Sequence, residues 1–350
     1  MQQFSKILRW VNLAVILLTF LSYLSPYINP IHFWPLTFLG MAYPWLLLLN
    51  LLFILFWAFR KDRYVFFSLA CILTGWSHLT GFVGWRGPEV YDPGKSLSIL
   101  SYNLQSGRDY ETIRQLKKPQ SGPLHATLHQ KTGNNILCFQ EIRKAYLDEM
   151  SEALALPYLH TIPYSSVAIL SPVPILDRGG QRFTESSNGF IWVDLNLQGQ
   201  RVRIFNIHLQ SNKVSGVTDK VLEAGDLQEK ETWMDIRMVI GRVKRATITR
   251  SEQVDVVAEQ IAASPYPVIV CGDFNDTPQS YSYRSLSQGL RDSFREKGWG
   301  FGTTYAGNIP ALRIDYILVD PRFKVLETQI PRVPYSDHYP VISKLELGGS

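Results

Sequence analysis

Eight polar residues lie at or beside the ends of apolar runs: Asn103, Glu141, His208, Asp273, Asn275, Asp315, Asp337 and His338. Their types suit a definite chemistry. Carboxylates and amide oxygens bind hard cations, imidazoles move protons, and amide hydrogens hold phosphate oxygens. The pair Asp273 and Asn275 follows Val268-Ile269-Val270-Cys271-Gly272. Two residues apart in extended backbone, they project to the same side. Each residue alone has a plainer reading. Asp and Asn are ordinary turn formers, and a single histidine is more often packed than catalytic. It is the recurrence at strand ends that points to one shared edge.

The elements that must carry these residues are legible. Leu97–Asn103 alternates as a strand, and 135–141 is a second, buried one. Residues 166–171 form a third. Residues 189–195 and 201–208 read as a hairpin turned at Gln198-Gly199-Gln200. Residues 267–271, 313–319 and 341–347 complete a set of around eight strands. Helices are expected at 109–118, 143–156, 229–248 and 252–263, with 211–250 as an insertion. Strands and helices interspersed, with both hairpins and crossovers, imply an α/β fold with mixed sheets.

Residues 1–88 differ in kind. Three apolar stretches, 7–28, 34–59 and 64–85, each approach the roughly 20 residues needed to cross a bilayer. Tryptophans 10, 34, 57, 76 and 85 lie near their ends, as interfacial anchors do. The net charge is +5, yet six of the 35 basic residues and only two of the 30 acidic ones precede residue 90. The remainder is close to neutral, which argues against a globally basic nucleic-acid binder. An exception is the run Arg237, Arg242, Lys244, Arg245 and Arg250, which could meet phosphate or anionic lipid. The three cysteines have no metal-type spacing and read as buried apolar residues. The expected organisation is an anchor of about three transmembrane helices (1–88), a linker (89–95) and a catalytic domain (96–350).

Seven segments, in order, carry a family resemblance: Ser101-Tyr102-Asn103, Phe139-Gln140-Glu141, Val167-Ala168-Ile169-Leu170-Ser171, Asn206-Ile207-His208-Leu209, Gly272-Asp273-Phe274-Asn275, Arg313-Ile314-Asp315-Tyr316 and Ser336-Asp337-His338-Tyr339-Pro340. Over residues 96–347 this resembles the endonuclease/exonuclease/phosphatase superfamily, in particular its deoxyribonuclease I-like and neutral sphingomyelinase-like members. The resemblance implies a four-layer αββα sandwich of two mixed β-sheets. It implies that Glu141, with Asn103 and Asp337, holds Mg²⁺, for which Mn²⁺ can substitute. It further implies that Asp273 positions the attacking water, that His338 acts at the phosphate with Asp315 orienting it, and that Asn275 and His208 donate to phosphoryl oxygens. Exonuclease III-type members resemble a pattern with Tyr where His208 stands. Inositol 5-phosphatases resemble Gly-Asp-x-Asn-Tyr-Arg, which Asp276-Thr277 interrupts.

The expected activity is divalent-metal-dependent hydrolysis of phosphodiesters, nucleic acid being favoured over phospholipid. A non-catalytic binding protein on the same fold is the alternative from a different class. No protein partner is implied, and residues 7–85 are expected to meet lipid. Lys6, Arg9, Arg60, Lys61 and Arg63 flank the first two stretches, whereas 25–33 carries no Lys or Arg. The positive-inside rule then places the catalytic domain outside a bacterial cytoplasmic membrane. A reporter fused after residue 95 is therefore expected to be active only outside the cytoplasm; activity confined to the cytoplasm contradicts this orientation.

Overall fold

The computed structural model describes residues 2–92, 94, 96–105, 124, 136–184, 186–212, 230–307 and 311–348. The expected helix at 109–118 lies outside these residues, as does part of the expected insertion. The described chain begins with α1 (Gln2–Leu24), α2 (Pro30–Phe33), α3 (Pro35–Phe59), α4 (Val65–Thr74) and α5 (Trp76–Leu79). Strand β1 (Val83–Trp85) follows. Next come β2 (Leu97–Asn103), β3 (Ile136–Gln140), α6 (Lys144–Ala153), β4 (Tyr158–Thr161), β5 (Val167–Ser171), β6 (Ile175–Arg182), β7 (Gly189–Leu197) and β8 (Gln200–His208). Then α7 (Lys230–Ala262) leads to β9 (Val268–Asp273), α8 (Tyr281–Leu286), β10 (Arg291–Asp292), α9 (Ser293–Lys297) and β11 (Trp299–Phe301). The chain closes with β12 (Asp315–Val319), β13 (Phe323–Gln329) and β14 (Val341–Leu347).

Two six-stranded sheets stack face to face, in the orders β10-β12-β9-β8-β7-β6 and β13-β14-β2-β3-β5-β4. Both are mixed: β2 runs parallel to β3 and β8 parallel to β9, the other pairs being antiparallel. Strand periodicity explains the layers. One face of each strand supplies Ile99, Cys138, Ile169, Ile204, Cys271 and Ile317 to the core between the sheets. The opposite face of one sheet packs under α6 through Tyr146, Leu147 and Met150. The opposite face of the other packs under α7 through Val254 and Val257. The order is helix, sheet, sheet, helix, the four-layer sandwich expected.

The strand boundaries differ from expectation mainly by addition. Strands β4, β6 and β13 were not foreseen: β4 and β6 are largely exposed, and β13, though Phe323, Val325 and Leu326 are buried, interrupts them with polar residues and shows no long apolar run. Helices expected at 229–248 and 252–263 are one helix of 33 residues, since nothing between them breaks it. All three cysteines are buried and free. Cys138 and Cys271 share the inter-sheet core.

The N-terminal region needs one correction. Among the described residues, two helices are long and apolar enough to cross a membrane, Ser5–Tyr27 and Pro35–Phe59. The third stretch does not form a comparable helix. Helix α4 has ten residues, which is about 15 Å of rise. After α5, β1 pairs with β11 of the sandwich, Gly84 opposite Gly300. Any Cβ on Gly84 would lie 2.3 Å from the Gly298 carbonyl oxygen, so this glycine serves contact with the sandwich rather than helix packing in lipid.

Helix α4 nevertheless packs along α1. Arg9 bonds Asp62 at 2.7 Å at one end of α1, and Asn12 bonds Ser68 further along. At the other end, Tyr23 reaches the Cys71 carbonyl, and Gln279 of the sandwich donates to the Ser22 carbonyl at 2.8 Å. The sandwich thus packs at the end of the helices opposite Arg9 and the loop 60–63. Buried Arg313 strengthens the junction, donating to the Gly81 carbonyl at 2.8 Å while pairing with buried Asp292. The linker is docked as well: Glu89 pairs with Lys297 and Lys324.

Candidate active site

The inward-facing positions of the central strands change character at one edge of the sandwich. Along β2 the series is Ile99, Ser101, Asn103; along β8 it is Ile204, Asn206, His208; along β9 it is Ile269, Cys271, Asp273. Strand β12 runs antiparallel to β9, so its first residue Asp315 sits opposite Asp273, and His208 pairs in register with Asp273 from the other side. Period-two alternation therefore delivers Asn103, His208, Asp273 and Asp315 to one cleft.

Asp273 is the centre. Its side chain is buried, and Oδ2 accepts from the Asn103 amide at 2.9 Å, joining the two sheets. Oδ1 accepts from the Asn275 backbone N–H at 2.8 Å. Nε2 of His208 and Nε2 of His338 each lie 3.9 Å from Oδ2. Burial first, and the neighbouring Asp315 charge second, push the Asp273 carboxyl up to about 7. His338 Nδ1 bonds Asp315 Oδ2 at 2.9 Å. Burial opposes the imidazolium, but the Asp315 and Asp273 charges outweigh it and raise His338 to about 10. Thr304 braces this pair: its Oγ1 accepts from the Ile314 and Asp315 N–H groups, and its carbonyl accepts from Tyr339 N. The Tyr305 ring stands edge-on to His338 at 5.5 Å.

Glu141 enters by a different device. Continuation of the β3 alternation would turn it away from the inter-sheet core. Its φ of 48° breaks the strand and brings its carboxylate 3.5 Å from His208 Nε2. A glutamate in left-handed backbone is uncommon and mildly strained, a feature concentrated at functional sites. Asp337 joins through Gln105, whose Nε2 donates to Asp337 Oδ2 at 2.9 Å while its N–H donates to Asn103 Oδ1.

A cavity of about 240 Å³ opens here, with Glu141, Asp273, Asn275, Asp337 and His338 on its wall. Asn103, His208 and Asp315 stand behind that wall in direct contact with it. All eight polar residues singled out from sequence thus converge. One placement differs in detail. Both amide hydrogens of Asn275 are spent inside the protein, on the Leu209 carbonyl and on Asp273 Oδ2. As placed, Asn275 orients Asp273.

Two oxygen-rich groupings could hold a cation. Glu141, Asn103 and Asp337 offer hard oxygen donors with lone pairs to spare, which fits Mg²⁺. Asp273, Asp315 and His338 also lie close enough together to bind an ion. In that second group, however, the His338 nitrogen facing Asp315 is already bonded to it. Gln105, Thr304 and Tyr305 were missed from sequence. They follow or precede the motifs without an apolar run to flag them. Met41, from α3, also lines the cavity, and nothing in its local sequence signals that.

Of the basic segment, Arg242 and Arg245 line a second hollow that shares Ser211 and Asn212 with the first. Lys244 lies over the Trp34 ring at 5.3 Å, and Arg237 is exposed on α7. Arg250 is buried against Asp276 at 3.1 Å and belongs to the fold.

Residues 100–338 match the profile of the endonuclease/exonuclease/phosphatase family. Residues 5–82 match a domain of unknown function (DUF8431). No curated protein sequence matches the chain. Among solved structures, an endonuclease/exonuclease/phosphatase family protein from Bacteroides thetaiotaomicron is similar at 22% identity, covering 74% of this chain and 100% of its own, with a TM-score of 0.51. Humanized D. rerio TDP2 is similar at 18% identity over 72% of this chain and 99% of its own, TM-score 0.51. D. rerio TDP2 complexed with single strand DNA product gives 17% identity, 72% and 99%, TM-score 0.51. At these identities the likeness concerns the fold.

The raised His338 value carries a stability consequence. Its contribution to folding is complete below about 6.5 and is lost as pH rises through about 10. The Asp273 shift acts lower, from 3.8 to about 7. In metal-free protein, the thermal midpoint is expected to fall between about pH 7 and about pH 10, and His338→Gln should flatten that fall. Equal slopes for the two proteins contradict the assignment.

Proposed function

The chain belongs to the endonuclease/exonuclease/phosphatase family, and from that premise we propose that it is a membrane-anchored, divalent-metal-dependent phosphoester hydrolase acting on phosphodiesters. The observation that carries this reading is the buried network in which Asp273 touches Asn103 from one sheet and faces the Asp315–His338 pair. Such a network is costly to bury and, in a cleft with shifted ionisation, marks a functional site.

Glu141, Asn103 and Asp337 are the residues we assign to hold Mg²⁺, with Mn²⁺ as a substitute. When bound, the ion neutralises charge on the phosphoryl oxygens. Asp273, held by the Asn103 and Asn275 hydrogen bonds, orients a water for in-line attack and accepts its proton. His338 is kept protonated by Asp315, so its Nε2 presents a positive N–H to the phosphate as negative charge builds there. His208 Nε2 stands beside Glu141, where it fixes that carboxylate and adds a second donor near the phosphoryl group.

The anchor is the pair of long apolar helices, with the shorter α4 packed beside them. With Arg9 and loop 60–63 on the cytoplasmic side, the sandwich lies on the other side, because it packs at the opposite end of α1. Nucleic acid is the substrate favoured on sequence grounds, and the similar D. rerio TDP2 was crystallised with a single strand DNA product. The burial of Arg250 and the seat of Lys244 on Trp34 weaken that support, since both basic side chains have internal work.

Purified full-length protein is expected to hydrolyse bis(p-nitrophenyl) phosphate with Mg²⁺ and to lose the activity in EDTA. His338→Gln and Asp273→Asn should each lower kcat by roughly a hundredfold to ten-thousandfold, with smaller effects on KM. Unchanged kcat in either variant, or activity indifferent to EDTA, overturns the proposal.

A further inference from the structure

The anchor does more than tether. Helix α3 reaches the cavity itself, for Met41 shares its wall with Glu141, Asp273 and His338. Met41 lies 18 residues before Phe59, after which Arg60, Lys61 and Arg63 mark the opposite surface. At about 1.5 Å per residue that is roughly 27 Å, close to the thickness of a bilayer's hydrocarbon. The cavity therefore opens at the level of the far lipid headgroups. The loop after Asn275 is fixed there by packing: a Cβ on Gly40 would lie 2.2 Å from the Gln279 carbonyl oxygen, and Gln279 holds Ser22.

The surface around this junction suits a bilayer. On β11, Trp299 and Phe301 are each 75% exposed, beside exposed Trp85, on which Trp76 stacks. On α7, Trp233, Arg237, Ile240 and Lys244 recur at helical spacing along one face, and Lys244 fixes that face against Trp34 of the anchor. Aromatic and basic side chains on one helix face, continuous with membrane helices, are the composition of an interfacial seat.

Resting on the phosphoester-hydrolase reading above, we propose that the substrate is a membrane phospholipid, drawn from the leaflet in which the sandwich sits, with Met41 as the apolar wall of its site. The headgroup phosphodiester enters the cavity while the acyl chains remain beside α3. Arg242 and Arg245, in the adjoining hollow, face the far part of the headgroup or its neighbours. Water adds to phosphorus and gives one proton to Asp273, the bond to one ester oxygen breaks, and that oxygen leaves as an alcohol after taking a proton from solvent, to which Asp273 returns its own.

The test uses the full-length chain in nanodiscs of phosphatidylethanolamine, phosphatidylglycerol and sphingomyelin with Mg²⁺. Bis(p-nitrophenyl) phosphate and plasmid DNA are assayed in the same preparation. We expect EDTA-sensitive cleavage of at least one lipid. Met41→Lys should lower lipid turnover about tenfold more than turnover of the soluble diester, and Met41→Leu should restore the ratio. Hydrolysis of the soluble diester or of plasmid with no lipid cleavage overturns the inference while leaving the hydrolase reading intact. So does a Met41→Lys variant that lowers lipid and soluble turnover in equal proportion. Hydrolysis of none of the three overturns both.

Discussion

A carboxylate at 1% exposure needs a reason to be there, and in this protein most of the site exists to hold Asp273. Removing an ionised carboxylate from water is expensive unless hydrogen bonds and opposite charge offset the loss. Here an amide from the facing sheet, a backbone N–H and a histidine cation contribute that offset. Similar links recur beside it, where Gln140 of one sheet bonds Asn206 of the other at 2.6 Å. The two sheets are thus joined by apolar packing through their middle and by polar bonds at one edge. The edge with polar bonds is the one with the cavity, so stability and chemistry draw on the same contacts.

The polar edge could be read from sequence because strand alternation is regular. In β2, β8 and β9, the residue two beyond the last core position is polar, and period two puts it on the inner face. Glu141 was found by its motif and not by alternation, since only the turned backbone at φ 48° brings it into the cleft. Asn275 was expected to face substrate, yet its amide is consumed locally, because the left-handed turn at φ 52° folds it back onto Asp273. Exposed strands such as β4 and β6 left little trace, their stability coming from neighbours rather than from their own pattern. The polar residues between the helices expected at 229–248 and 252–263 do not break α7, because they are bonded where they lie: buried Arg250 pairs with Asp276, and the hydroxyl of buried Ser251 donates to the Ile248 carbonyl.

The N-terminal region was legible in composition and less so in geometry. Apolar content alone could not separate a full crossing from a short helix followed by a strand in another sheet. The glycines near residue 80 are explained by closeness to the sandwich, a long-range relation that local sequence does not display. The N-terminal helices and the sandwich are therefore joined as one unit: Arg313 bonds Gly81, Gln279 bonds Ser22, and β1 pairs with β11. On the membrane-anchored reading proposed above, this rigid junction sets the cavity at a fixed height above the membrane core.

The proposed metal position divides the polar residues into those that would hold the ion and those that would act on water and phosphate. Mn²⁺ binding followed by electron paramagnetic resonance on the full-length protein separates the two groupings. One bound ion is expected, its affinity falling by about tenfold or more in Glu141→Gln and changing little in His338→Gln. Loss of the ion in His338→Gln, with affinity retained in Glu141→Gln, would place it at Asp273 and Asp315 and contradict the assignment of roles.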